Sequence, residues 1–130
     1  SLAIQVLTSR SASVPTLIFD EVDVGIGGGV AEIVGRLLRE LGGERQVLCV
    51  THLPQVAARA EWQWQVSKAT RDGVTLSSIQ PLDDERRVCE IARMLGGVEV
   101  TDITLAHAGE LLHPKGASLG ARSTPENVQK

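Results

Sequence analysis

The sequence predicts an α/β fold built around parallel strands, and two observations lead to this prediction. Two short runs, Val14–Phe19 and Val47–Val50, are almost continuously apolar, as is typical of strands that are buried on both faces. Between them lie a glycine-rich turn and a segment, Val30–Leu41, whose apolar residues recur at helical spacing. A strand, a helix and a strand in this order predict a βαβ unit with parallel strands and a right-handed crossover.

Further elements are predicted on both sides of this unit. Residues 2–9 show helical spacing, and Pro54 is placed to begin a helix that ends near Arg59. The Asp72-Gly73 pair predicts a hairpin between Trp62–Lys68 and Val74–Gln80. Two more helices are predicted at residues 83–95 and 101–112. We therefore expect one structured domain over residues 1–112 and a mobile tail over residues 113–130.

Composition excludes several classes of function. The chain has 130 residues with 13 Lys and Arg against 16 Asp and Glu, a formal net charge of −3, so contact with nucleic acid through this chain alone is not expected. Its aromatic residues are one Phe and two Trp, too few to stack successive bases. Trp62 and Trp64 share one strand face, and ordinary packing is expected for them rather than a ligand platform. No apolar run could cross a bilayer, which predicts a cytoplasmic protein without membrane contact. Because an apolar helical pattern begins at Leu2 with only Ser1 before it, we expect a piece of a longer protein, although removal of an initiator Met before Ser1 would leave the same start.

The first predicted strand ends in two acids. In a nucleotide-hydrolysing sheet, an acid in the position of Asp20 holds hydrated Mg²⁺, and the next acid, Glu21, accepts a proton from the attacking water. His52 follows the second strand, and parallel strands place their carboxyl ends at one edge, so it could donate to a γ-phosphate oxygen there. An acidic turn in solvent and a structural histidine remain open as alternatives.

Three motifs carry a family resemblance. They are TLIFDEVDVGIGGG at residues 16–29, CVTHLPQVA at residues 49–57 and EIARMLGG at residues 90–97. Over about residues 1–112, the chain resembles the carboxy-terminal part of the ATPase head of the RecN family, the SMC-like, ABC-type ATPases of DNA double-strand-break repair. The resemblance implies a partial P-loop NTPase head from which the Walker A strand is missing.

The resemblance also implies roles for individual residues. Leu17–Glu21 would be the Walker B strand, with Asp20 as the Mg²⁺ carboxylate and Glu21 as the catalytic base, and His52 would be the switch histidine. Asp23–Gly27 would be the D-loop, which packs against an opposing protomer. Asp23, Gly25 and Gly27 would then join Asp20 among the residues that bind the nucleotide; relatives often carry serine where this chain has Gly27.

Two family motifs are absent from this sequence. It contains neither G-x-x-x-x-G-K-[ST], the loop that cradles phosphates, nor the signature string Leu-Ser-Gly-Gly. The resemblance therefore implies that the chain is inactive alone and uses ATP and Mg²⁺ only with the amino-terminal half of the head and a second head in a homodimer. DNA would be contacted by the full-length assembly, in the cytoplasm at the nucleoid. The isolated chain is expected to be marginally stable or oligomeric because the missing strand would leave an open edge.

Two alternatives remain open at this point. The chain could belong to another ABC-type machine such as a transporter ATPase subunit, although those more usually show Ala-Leu-Asp where this chain has Gly25–Gly27. It could also be a non-enzymatic interaction module in which the acids form only a solvated edge. Binding of Mg²⁺ and ATP after mixing with the amino-terminal half is expected for a RecN-like head and for another ABC-type ATPase. It is not expected for an interaction module.

Overall fold

A computed structural model describes residues 14–20, 22, 24–97 and 99–114. Three predictions concern residues outside these ranges: the helix over residues 2–9, the positions of Glu21 and Asp23, and the tail beyond Pro114. The described part contains four strands and four helices in this order: β1 (Thr16–Phe19), α1 (Gly28–Gly42), β2 (Gln46–Cys49), α2 (Pro54–Ala57), β3 (Trp64–Arg71), β4 (Val74–Pro81), α3 (Asp84–Gly96) and α4 (Asp102–Leu112).

The predicted βαβ unit is present. Strands β1 and β2 pair in parallel, in a register that runs from Thr16 opposite Gln46 to Phe19 opposite Cys49. A backbone hydrogen bond from Val50 N to Phe19 O, 2.9 Å long, continues the pairing one residue past the end of β2. The α/β fold class and its parallel strand pair are therefore confirmed.

Helix α1 covers one face of this small sheet. It begins at Gly28, two residues earlier than the apolar spacing predicts, because the first helical hydrogen bond joins Ala31 N to Gly27 O at 2.9 Å. Its apolar stripe packs on the sheet and on the single turn of α2. The buried residues of this first core are Phe19, Ala31, Val34, Leu38, Leu41 and Val56.

The opposite face of the sheet is uncovered in the described part of the chain. Ile18 is 72% exposed, and its register partner Leu48 is 40% exposed. Just beyond β2, Val50 is 61% exposed. The expectation that both strands are buried on two faces is therefore wrong for these residues, because α1 supplies a layer on one side and no described element supplies the other.

The hairpin and the last two helices follow the βαβ unit along the chain. Asp72 and Gly73 have φ angles of 51° and 78°, the left-handed conformation that a two-residue hairpin turn requires, which agrees with the sequence prediction. Helices α3 and α4 pack through a second core, in which the fully buried residues are Ile91, Ala92 and Ala108. None of the helices in the described ranges is long and apolar enough to span a lipid bilayer.

The tryptophans depart from the prediction. Trp62 is 77% exposed and Trp64 is 64% exposed, so the ordinary packing expected for them does not occur within the described residues. Trp64 lies at the first position of β3, opposite Pro81, and Val66 and Ile79 form the next pair on the same face. Both members of this second pair are also more than 60% exposed. The reason is the same as for the parallel sheet: no described element covers this face of the hairpin.

Candidate functional site

Asp20 and His52 lie at one edge of the parallel pair. Asp20 is the first residue after β1, and His52 lies three residues after the end of β2, whose last residue, Cys49, pairs with Phe19. Both residues are exposed. Glu21, the predicted base, is outside the described residues, so the structure locates one acid and the histidine of the predicted set. The sheet topology brings these two to the same edge, as the βαβ pattern predicts.

The loop that carries His52 is short and closely tied to its neighbours. Only residues 50–53 separate β2 from α2. Within this loop, Leu53 N donates a 3.0 Å hydrogen bond to Thr51 Oγ1, and Leu53 packs against the first core. Pro54 then occupies the first turn of α2, where its missing N–H is no loss. The position of His52 is thus constrained by β2 on one side and α2 on the other.

The glycines of the predicted D-loop have an open environment. Gly25 has a φ angle of 75°, a left-handed backbone conformation that glycine adopts readily and other residues rarely do. A Cβ built at Gly25 or Gly27 meets no other atom within 4 Å. Gly27 has extended backbone and precedes α1 without providing a side-chain cap. Nothing in the described residues therefore excludes a side chain at Gly27.

Helix α2 packs directly against α1, and no local pattern of residues predicts this contact. Arg59 Nη2 lies 2.7 Å from Glu32 Oε1, and Arg39 Nη1 donates a 2.9 Å hydrogen bond to Arg59 O. A Cβ at Gly35 would lie 2.9 Å from Arg59 Cγ and 3.0 Å from Gln55 O. Glu32 and Arg59 are 27 residues apart in the sequence, so neither helical nor strand spacing relates them.

A separate open cleft of about 430 Å³ lies between the hairpin and α3. Its lining residues are Gln65, Gln80, Leu82, Arg86, Cys89, Glu90, Arg93 and Val100. The ionic groups that line it already have partners: Arg93 bonds to Glu90 at 2.7 Å, and Arg86 lies 3.6 Å from Asp83. The hydrogen bond to Glu90 raises the pKa of the Arg93 guanidinium. The cleft contains neither Asp20 nor His52.

The residues present fit a magnesium ion that is shared with a nucleotide. Across the described ranges, no group of three or more His, Cys, Asp and Glu side chains converges as a metal cage would require. Mg²⁺ instead commonly keeps several waters and takes one or two carboxylates together with substrate phosphates. The exposed carboxylate of Asp20 at the sheet edge meets that requirement.

Comparison with known proteins gives the family context. No protein-family model matches the chain. The DNA repair protein RecN of Vibrio cholerae is 56% identical over 112 residues, which are 86% of this chain and 20% of that protein. RecN of Haemophilus influenzae is 55% identical over the same length. The predicted resemblance to RecN is confirmed. RecN of Bacillus subtilis is 46% identical over 111 residues.

The matched part of this chain spans about a fifth of the length of these relatives, which is 20% for Vibrio cholerae RecN. Solved structures agree on the fold. An SMC ATPase from a study of ATP-driven dimerization and DNA-stimulated activation superposes with a TM-score of 0.56 at 24% identity, over 71% of this chain and 56% of the other. The Smc head domain of Pyrococcus yayanosii superposes with a TM-score of 0.56 at 26% identity, over 69% of this chain and 17% of the other. The described residues thus have the fold of part of an SMC-type head.

Proposed function

We propose that this chain is the carboxy-terminal part of the ATP-hydrolysing head of a RecN-like DNA repair ATPase. The observation that carries the proposal is the position of Asp20 and His52 beyond the carboxyl ends of two paired parallel strands, in a chain that is 56% identical to RecN over 112 residues. The transporter and interaction-module alternatives have no comparable support from the structure.

In the proposed mechanism each residue has a distinct task. Asp20 would hold hydrated Mg²⁺, and the bound ion would supply positive charge that offsets the negative charge of the phosphates. Glu21 orients the attacking water and accepts its proton while the water oxygen bonds to the γ-phosphorus and the bond from that phosphorus to the leaving oxygen of ADP breaks. His52 donates a hydrogen bond to a γ-phosphate oxygen while negative charge develops there. The exposure of Asp20 and His52 is consistent with these tasks, because both must reach a nucleotide held by other residues.

The site requires polypeptide from outside this sequence. A phosphate-cradling G-x-x-x-x-G-K-[ST] loop is absent from the 130 residues, so the proposal assigns that loop to the remaining part of the head. An SMC ATPase of the same fold has been studied for ATP-driven dimerization and DNA-stimulated activation. We extend this to a second head that contacts the D-loop residues Asp23, Gly25 and Gly27, and to DNA contact by the whole assembly. The chain alone is then inactive.

The test uses the full-length protein that contains this segment. Glu21→Gln should preserve ATP binding and lower turnover by ~10² to 10⁴-fold, because the amide cannot accept the proton. His52→Ala should lower turnover by ~10² to 10³-fold through loss of one donor. His107→Ala, which changes an exposed residue of α4, is the matched control and should leave turnover unchanged. Parental turnover in both Glu21→Gln and His52→Ala would refute the proposed site.

A further inference from the structure

The side chain of Arg59 connects the segment after the His52 loop to α1. Its guanidinium lies 2.7 Å from the Glu32 carboxylate, and the Arg59 side chain is 19% exposed. Its backbone oxygen accepts a 2.9 Å hydrogen bond from Arg39, which also belongs to α1. The end of the α2 segment is thus attached to α1 through both its side chain and its backbone.

The same contact leaves no space between the two helices. A Cβ at Gly35 would approach Gln55 O to 3.0 Å and Arg59 Cγ to 2.9 Å, which is closer than ordinary contacts allow. Helix α2 has four residues, and a single turn gains too little from its own hydrogen bonds to be stable alone. Its position is therefore determined by what it packs against: α1 provides one surface through Gly35 and Glu32, and the second core receives Ala57 and Ala58 on the other side.

The position of α2 in turn constrains His52. Four residues, 50–53, connect β2 to α2, and His52 is one of them. Leu53, the residue next to His52, is the N-cap of α2. A displacement of α2 away from α1 would therefore move the carboxyl end of the loop over residues 50–53. Strand β2 holds only the amino end of that loop.

We propose that Arg59 is a positioning residue for His52, and that it acts by holding α2 against α1 through Glu32. This inference rests on the proposed role of His52 in ATP hydrolysis. Arg59 does not itself touch the reacting groups in this account. Since Glu32 lies near the beginning of α1, the ion pair also joins the segment after α2 to the part of α1 that directly follows the predicted D-loop.

The test is a double-mutant cycle on turnover in the full-length protein. Arg59→Ala should lower kcat by ~10- to 100-fold, as expected for a small misplacement of a catalytic group, with little change in KM for ATP. In a His52→Ala background the same substitution should cause no further loss. Arg59→Lys, which keeps the positive charge, should restore much of kcat. Arg36→Ala on the exposed face of α1 is the matched control and should behave like the parent.

Arg59→Ala removes packing as well as charge, so a milder variant accompanies it. Glu32→Gln keeps the shape of the side chain while removing its charge, and it should give a smaller decrease in kcat that is likewise absent in the His52→Ala background. If Arg59 had a purely structural role, Arg59→Ala would lower the melting temperature, and its loss in kcat would multiply with the loss caused by His52→Ala. That result would overturn the inference while leaving the proposed function intact. Parental turnover of His52→Ala itself would overturn the switch assignment and the inference together.

Discussion

Gln65 on β3 donates a 2.6 Å hydrogen bond to Oε2 of Glu90 on α3. Glu90 is a buried carboxylate, and Arg93, one turn later on the same helix, contacts both of its oxygens at 2.7 and 2.8 Å. One acid therefore joins the hairpin to α3 and pairs with a cation of its own helix. Since the hairpin leaves its other face uncovered in the described residues, this bond is one of the contacts that fix how it meets α3.

Glu90→Ala should loosen the hairpin. It would leave the Gln65 amide without this acceptor, at a cost of about 1–2 kcal/mol, reduced because Arg93 is 56% exposed and regains water. Amide hydrogen exchange in β3 should accelerate by roughly tenfold in the full-length protein. Glu110→Ala, at an exposed position of α4, is the control. Unchanged exchange in β3 after Glu90→Ala would contradict this account of the contact.

The end of α3 should tolerate no side chain at Gly97. This residue has φ 74° and ψ −124°, a conformation available essentially to glycine, and its N–H bonds to Arg93 O at 2.9 Å. Gly97→Ala should destabilise α3 by about 1–3 kcal/mol. Gly42→Ala provides a comparison, since a Cβ there meets nothing within 4 Å and should be neutral or slightly stabilising. The measurement is hydrogen exchange at the carboxyl end of each helix, and equal effects of the two substitutions would refute the prediction.

Asp20→Asn should separate metal binding from nucleotide binding. Loss of the negative charge weakens the hold on hydrated Mg²⁺, so affinity for Mg²⁺ in the presence of ATP should fall by at least ~10-fold. ATP affinity measured in EDTA should stay at the parental value. Titration of the full-length protein with a fluorescent ATP analogue, with and without Mg²⁺, distinguishes the two effects. Asp102→Asn, at the exposed first turn of α4, is the control. Equal Mg²⁺ dependence in parent and Asp20→Asn would place the ion elsewhere.

The isolated chain should associate with itself. Ile18 and Leu48 are neighbours on an uncovered sheet face, with exposed fractions of 72% and 40%, and an exposed apolar face beside open strand edges favours association. Light scattering after size exclusion should show mass that rises with concentration. Ile18→Thr with Leu48→Thr should reduce the association, because threonine keeps the β preference and lowers the apolar area. A monomer that melts cooperatively would contradict the prediction.

Much of the fold followed from local patterns. The glycine turn and helical spacing predicted α1 to within two residues, and the Asp72-Gly73 pair predicted the hairpin turn. The topology of a βαβ unit placed Asp20 and His52 at one edge, because parallel strands end on the same side. These features depend on backbone preferences and on the period of apolar residues. Both are properties of short segments and can be read from the sequence without knowing the tertiary structure.

Burial was predicted less well. Apolar character alone suggested two covered faces for β1 and packed positions for Trp62 and Trp64, yet Ile18 and both tryptophans are exposed. Whether an apolar residue is buried depends on which other element covers it, and the described residues include no cover for these faces. The pattern of a strand shows what it can bury, but a second layer has to be present for the burial to occur.

By itself, the sequence determined the order of the elements, the shared edge of Asp20 and His52, and the resemblance to RecN. Only the tertiary structure revealed the contacts among Glu32, Gly35 and Arg59 and the pairing of Gln65 with Glu90. The physical reason is distance along the chain. Arg59 lies 24 residues after Gly35 and 27 residues after Glu32, and Glu90 lies 25 residues after Gln65, all far beyond helical or strand spacing. Such contacts form only after separate elements have packed, so no local pattern of residue types predicts them.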